Sequence, residues 1–191
     1  MSIAEHISVF IAIVIGLAVS TLAINFHKLM TARAPVRWDW LSPLLALLML
    51  FVTVSYWWAS YSWHAGARTL SIAAFLPDLA NVLLLFLAVA AILPDEIPDE
   101  GIDLRAFYLA RARYLWTVQT LAVAMGIAIN LARHPPAPTV AGWIAGLGFN
   151  AVLLVAFAGL IVTRRVWVHG AVIVGTLAIS LTINLVERIG G

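Results

Sequence analysis

Six long stretches without a single Asp, Glu, Lys or Arg succeed one another along the chain: Ile7–Phe26, Trp40–Trp63, Leu79–Pro94, Tyr114–Ala132, Pro135–Thr163 and Val166–Val186. About 20 predominantly apolar residues suffice to carry a helix across a bilayer, with ~17 as the short limit. The pattern therefore predicts an all-α integral membrane protein, a six-transmembrane-helix bundle with short loops, folded as one transmembrane domain over residues 1–191. The spans are expected at 7–29, 41–64, 77–93, 114–132, 140–163 and 166–187. The first run is expected to be a retained helix rather than a cleaved leader, because no basic segment precedes it and no small-residue cleavage pattern follows.

Proline falls at the ends of these runs. Pro35 and Pro43 precede or open the second, Pro94 and Pro98 follow the third, and Pro135, Pro136 and Pro138 fill the turn before the fifth. The third run is the exception, since Pro77-Asp78 cuts an apolar stretch that begins near Leu70. The favoured reading starts the helix at Pro77, with Asp78 in the first turn where the helix dipole welcomes an acid and Leu70–Leu76 along the interface. The alternative buries Asp78 within the membrane, where a charge is costly and usually functional.

Charge placement orients the bundle. With the amino terminus outside, Lys28, Arg33, Arg37, Arg105, Arg111, Arg113, Arg164 and Arg165 fall in cytoplasmic connections, and only Arg68, Arg133 and Arg188 fall outside. By the positive-inside rule this predicts an N-out, C-out arrangement. Tryptophan supports the boundaries: Trp38, Trp40, Trp57, Trp58, Trp63, Trp116, Trp143 and Trp167 lie near run ends, as expected of an aromatic belt at both interfaces.

Composition excludes other classes. The chain is 63% hydrophobic and 10% charged with a mean hydropathy of +1.02, against about 25% charged residues in soluble domains. Its net charge of +2 is spread over many loops, so the lipid bilayer is the expected partner and nucleic acid is not. Absence of cysteine removes disulfide and thiolate chemistry. Gly142-Trp-Ile-Ala-Gly146, with Gly148 and Gly159, predicts close helix packing, within the chain or in a homo-oligomer. In the longest cytoplasmic connection, acids from Asp95 to Asp103 precede arginines, and Asp103 reads as the cap of a helix running through Arg113.

The Leu93-Pro-Asp linker, the Asp103-Leu-Arg…Tyr108…Arg111-Ala-Arg113 segment and the glycine-bearing first helix resemble a group of uncharacterised bacterial multi-spanning inner-membrane proteins of unknown function. The resemblance covers roughly the first two-thirds of the chain. It implies a bacterial inner (plasma) membrane and carries no activity.

Candidate site residues are the polar side chains that share a depth. Asp78, Asn81, Asn130, Asn184 and Glu187 gather toward the outer surface, with Tyr61 in an aromatic wall that also includes Tyr56, Trp57 and Trp58. Asn25 lies toward the cytoplasm and Asn150 near the midplane. One account of the amides is interhelical hydrogen bonding, worth about 0.6–2 kcal/mol each. The other is an outward-facing polar vestibule for a small solute or cation, which makes transport through a channel-like path or sensing the leading expectation. A scaffold or accessory subunit bound to a membrane protein partner is the alternative. A lesser one is haem or metal binding, with His27 and His169 at matching depth. No cofactor, metal or catalytic residue is assigned, because H-E-x-x-H, G-x-S-x-G and phosphate-loop patterns are missing. No enzyme is expected.

Overall fold

Every third or fourth residue of the first run turns toward the rest of the protein. In the computed structural model, which describes residues 3–63, 71–133, 135 and 137–184, Ile7, Ile11, Ile15, Ala18, Leu22, Asn25 and Leu29 form one buried stripe of helix α1 (Ile3–Met30). The opposite face exposes Val9, Phe10, Ile13, Leu17 and Ile24. A helix that is apolar on both its packed and its open faces suits lipid rather than water.

The same logic holds for helices α2 (Leu41–Trp63), α3 (Ile72–Ala90), α4 (Leu104–Arg133), α5 (Val140–Val162) and α6 (Val166–Asn184). Four of the six, α1 to α4, are long and apolar enough to cross a membrane; α5 and α6 contribute the shorter apolar stretches Gly146–Val162 and Val166–Thr182. Helix α1 packs on α2 and α3, α3 on α4, α4 on α5, and α2 on α6. Exposed Val140, Ile144, Val152, Val155 and Val162 give α5 an apolar outer face.

The connections α1–α2, α3–α4 and α5–α6 meet at one end. There β1 (Val36–Arg37) pairs in parallel with β2 (Ile102–Asp103), Val36 opposite Ile102 and Arg37 opposite Asp103. Eight basic residues, at 28–37, 105–113 and 164–165, consequently share this ladder end. Gly101 makes the ladder possible. Its φ of +94° suits glycine, and a Cβ would come within 2.3 Å of the Pro35 carbonyl oxygen. Asp103 then caps α4, accepting from the Ala106 amide at 3.0 Å, and Arg37 lies 3.4 Å away. Those two partners, the amide first, hold its carboxyl below its ordinary value. The acidic connection also docks: Asn25 donates to the Asp95 carboxylate and Lys28 to the Asp95 carbonyl, both at 2.8 Å.

Inside the ladder end, four groups satisfy one another in sequence. The Trp116 indole donates to the Tyr108 hydroxyl at 2.9 Å, and the Tyr108 hydroxyl meets His169 Nδ1 at 2.5 Å. His169 Nε2 meets the Thr163 carbonyl at 3.1 Å. Since a carbonyl only accepts, the chain is self-consistent for a neutral His169 protonated on Nε2. Trp116, Tyr108 and His169 are all buried. Nearby, Gly170 lets the Trp40 ring lie close to α6, since a Cβ there would come 2.3 Å from Trp40 Cη2 and displace the ring.

Several sequence expectations are corrected. Helix α3 begins at Ile72, capped by Ser71 whose hydroxyl accepts from the Ala74 amide, so Pro77 is the sixth helical residue rather than a first-turn residue. A good cap and five apolar helix positions outweigh the proline, whose missing N–H leaves the Ala73 carbonyl without its i+4 donor. Helix α4 is continuous from Leu104, joining the capped segment to the fourth run; thirty residues at 1.5 Å each reach about 45 Å, beyond the ~30 Å hydrocarbon layer. Trp116 belongs to the core and not to a belt, whereas Trp38, Trp40, Trp143 and Trp167 are exposed. Three of the α5 glycines make no close helix approach: a Cβ on Gly148 meets only Ile144, one on Gly159 meets nothing within 4 Å, and Gly142 abuts the Ala137–Thr139 turn. His64, Arg68, His134, Glu187 and Arg188 lie outside the described residues.

Candidate functional site: a polar cavity between helices

The end opposite the ladder holds a cavity of about 310 Å³. Helical spacing explains how five helices line it. On α4, Gln119, Ala122, Val123, Gly126, Asn130 and Arg133 recur every third or fourth residue and so share one face. Helix α3 adds Asn81 and Leu85, α5 adds Asn150, Leu153 and Phe157, α2 adds Val52 and Tyr56, and α6 adds Thr176 and Ser180. From Arg133 to Gln119 the α4 axis advances roughly 21 Å at 1.5 Å per residue, so the polar face reaches deep into the bundle. Phe157 lies against Trp116, ring centroids 5.0 Å apart, which sets the cavity on top of the ladder-end core.

Asp78 stands beside this cavity, 1% exposed, and accepts a hydrogen bond from Arg133 Nη2 at 2.6 Å. Buried Asp78, two turns inside α3, is therefore paired within the bundle and is not a first-turn residue. The Arg133 side chain is 26% exposed and reaches from the cavity lining toward the surface. Charge-assisted pairs of this geometry survive burial because each ion stabilises the other; either one alone in the interior is strongly destabilising.

The amides are less completely matched. Asn81 and Gln119 are 7% and 5% exposed, and neither the Asn81 Oδ1 nor the Gln119 Oε1 has a hydrogen-bond partner among the described residues. The Tyr56 hydroxyl adjoins Asn81. Opposite, a Cβ on Gly126 would sit 3.7 Å from Asn81 Nδ2, an ordinary contact, so Gly126 leaves that side of the cavity open. A buried carbonyl oxygen without a donor costs about 1–3 kcal/mol, and that cost vanishes when water or a ligand donates to it. Asn130, Asn150, Thr176 and Ser180 add further hydrogen-bonding groups around the same space.

Of the sequence candidates, Asp78, Asn81 and Asn130 come together here. Tyr61 is in α2 and Asn184 ends α6, but their side chains, like Glu187, lie outside what is described. Gln119, Arg133, Thr176 and Ser180 also line the cavity without being among the sequence candidates. A glutamine in the middle of the fourth run was the available signal for the first, and an arginine at the depth of Asp78 was the signal for the second. Of the histidine pair, His169 has both ring nitrogens engaged in hydrogen bonds and His27 is exposed on α1. Among the described residues no group of three His, Asp or Glu side chains could hold a metal ion.

No family model matches the chain, and neither a curated protein nor a solved structure is similar to it.

Proposed function

We propose that this protein moves or senses a small polar solute through a vestibule open to the outer side of a bacterial inner membrane. In this reading all six helices span, both termini are outside, and the ladder end with its eight basic residues faces the cytoplasm. The observation that carries it is the pair of buried, unmatched carbonyl oxygens of Asn81 and Gln119 on a 310 Å³ cavity otherwise rich in amides and hydroxyls. Structural glue would be satisfied internally; acceptors left open call for a donor from outside the chain.

The charge balance narrows the solute. Asp78 is already compensated by Arg133, so this pair adds no net charge beside the cavity and favours a neutral or zwitterionic molecule bearing N–H or O–H donors over a simple cation. The test is solute entry into vesicles containing the purified protein, followed by light scattering with glycerol, urea and glycine, alongside potassium flux. Entry of at least one of the three faster than into empty vesicles, slowed several-fold by Gln119→Leu and without potassium leak, is the expected result. A sensor would instead be stabilised thermally by one of these solutes without flux. Rates equal to empty vesicles together with no thermal shift would exclude the proposal.

A further inference from the structure

A second cleft, of about 510 Å³, opens between α4 and α5 at the ladder end, away from the polar cavity. Leu109 and Arg113 stand one turn apart on its α4 wall, Leu160 and Ile161 form its α5 wall, and Arg164 closes it from the α5–α6 turn. No acid lines the cleft. Arg113 and Arg164 are exposed, and neither has an acidic partner among the described residues, whereas Arg37 and Arg133 each have one. Two uncompensated guanidinium groups beside the side chains of Leu109, Ile161 and Val162 create a local positive field next to hydrocarbon, which attracts an anion that also carries hydrocarbon. The depth agrees: Trp167, 67% exposed and three residues beyond Arg164, marks the headgroup level.

We propose that this cleft holds an anionic phospholipid. Its phosphate is bound by Arg113 and Arg164, and an acyl chain lies along Leu109, Ile161 and Val162. Guanidinium suits the task because its fixed fork of donors matches two phosphate oxygens at once. Interhelical basic pockets on the cytoplasmic side are the expected place for such headgroups. A lipid wedged there would brace the α4–α5 contact and the α5–α6 turn, next to the Thr163 carbonyl that His169 holds.

The test uses the purified full chain, stripped of lipid in detergent and titrated separately with phosphatidylglycerol, phosphatidylcholine and inorganic phosphate, with bound mass read by native mass spectrometry. Phosphatidylglycerol is expected to saturate one site at a lower concentration than phosphatidylcholine, and phosphate is expected neither to bind stably nor to displace it. Each basic group near a membrane surface strengthens anionic-lipid binding about fivefold, so R113Q/R164Q is expected to weaken phosphatidylglycerol binding roughly 25-fold. R113K/R164K keeps the charge and loses much less. R33Q/R105Q removes the same charge elsewhere at the ladder end and changes binding by less than about threefold. Equal effects of R113Q/R164Q and R33Q/R105Q would reduce the site to diffuse charge and overturn the proposal. Displacement by inorganic phosphate would overturn it in favour of a soluble anion. Should R113Q/R164Q fail to fold, the wild-type protein still decides: no preference for phosphatidylglycerol over phosphatidylcholine overturns the proposal.

Discussion

The two ends of the bundle differ in how far the fold completes their polar groups, although at the ladder end too the Ser42 hydroxyl and one Asp39 carboxylate oxygen have no partner among the described residues. At the ladder end, Trp116, Tyr108, His169 and Thr163 pass hydrogen bonds along a closed chain, and Asn25, Lys28 and Asp95 close another. At the cavity end, Asp78 and Arg133 pair tightly, yet the carbonyl oxygens of Asn81 and Gln119 have no partner among the described residues. Polar groups buried in a membrane bundle are structural when the fold itself completes them. Under the proposed function, those the fold leaves open, around a space large enough for a small molecule, are where the solute binds.

This contrast can be broken most forcefully at the ion pair. Arg133→Met removes the positive charge paired with a carboxylate that is 1% exposed and is expected to cost about 3–5 kcal/mol, measured by thermal or denaturant unfolding in detergent. Asp78→Ala costs less, because the Arg133 side chain already reaches solvent. The double variant is expected to recover much of the loss. A cost for Asp78→Ala equal to or above that of Arg133→Met would contradict the burial asymmetry.

A finer contrast sets Tyr108→Phe against Gln119→Leu. Removing the Tyr108 hydroxyl orphans both the Trp116 indole and His169 Nδ1 and is expected to destabilise by about 2–3 kcal/mol. Removing the unmatched Gln119 amide is expected to change stability by less than about 1 kcal/mol while abolishing solute binding. Comparable losses in the two variants would mean that Gln119 is as structural as Tyr108.

The smallest effect concerns pH at the α4 cap. Asp103 has a carboxyl held below its unfolded value by the Ala106 amide and then Arg37, so its contribution is fully present above the unfolded value and lost as pH falls through the lower, folded one. Hydrogen exchange at Ala106 is expected to quicken only below about pH 4, and to be fast throughout in Asp103→Ala. Quickening near neutral pH would point to another group.

Much of this was legible in the chain. Charge-free runs located the helices, Asp103 declared its cap, and the basic residues sorted to one end because alternate connections do. What escaped depended on neighbours in three dimensions. Pro77 has the local signature of a helix start, but Ser71 caps the helix more than a turn earlier, and that shift of five residues is what draws Asp78 into the bundle. Trp116 and the belt tryptophans are the same residue type at similar run positions, and only packing against Phe157, Tyr108 and His169 separates them. Gln119 is one polar residue in an apolar run; that it faces Asn81, Asn150 and Thr176 rather than lipid follows from the rotation of α4, which no local pattern fixes.

Because the chain contains no cysteine, a single introduced thiol reports the cavity directly. In Gly126→Cys the new side chain meets Asn81 Nδ2 only at ordinary contact distance. A membrane-impermeant methanethiosulfonate added to the outer side of sealed vesicles is expected to label it rapidly, while Leu121→Cys, on the lipid-facing side of the same helix, stays unlabelled. A Gly126→Cys thiol that remains unlabelled from outside, or reacts only from inside, would contradict an outward-facing polar vestibule.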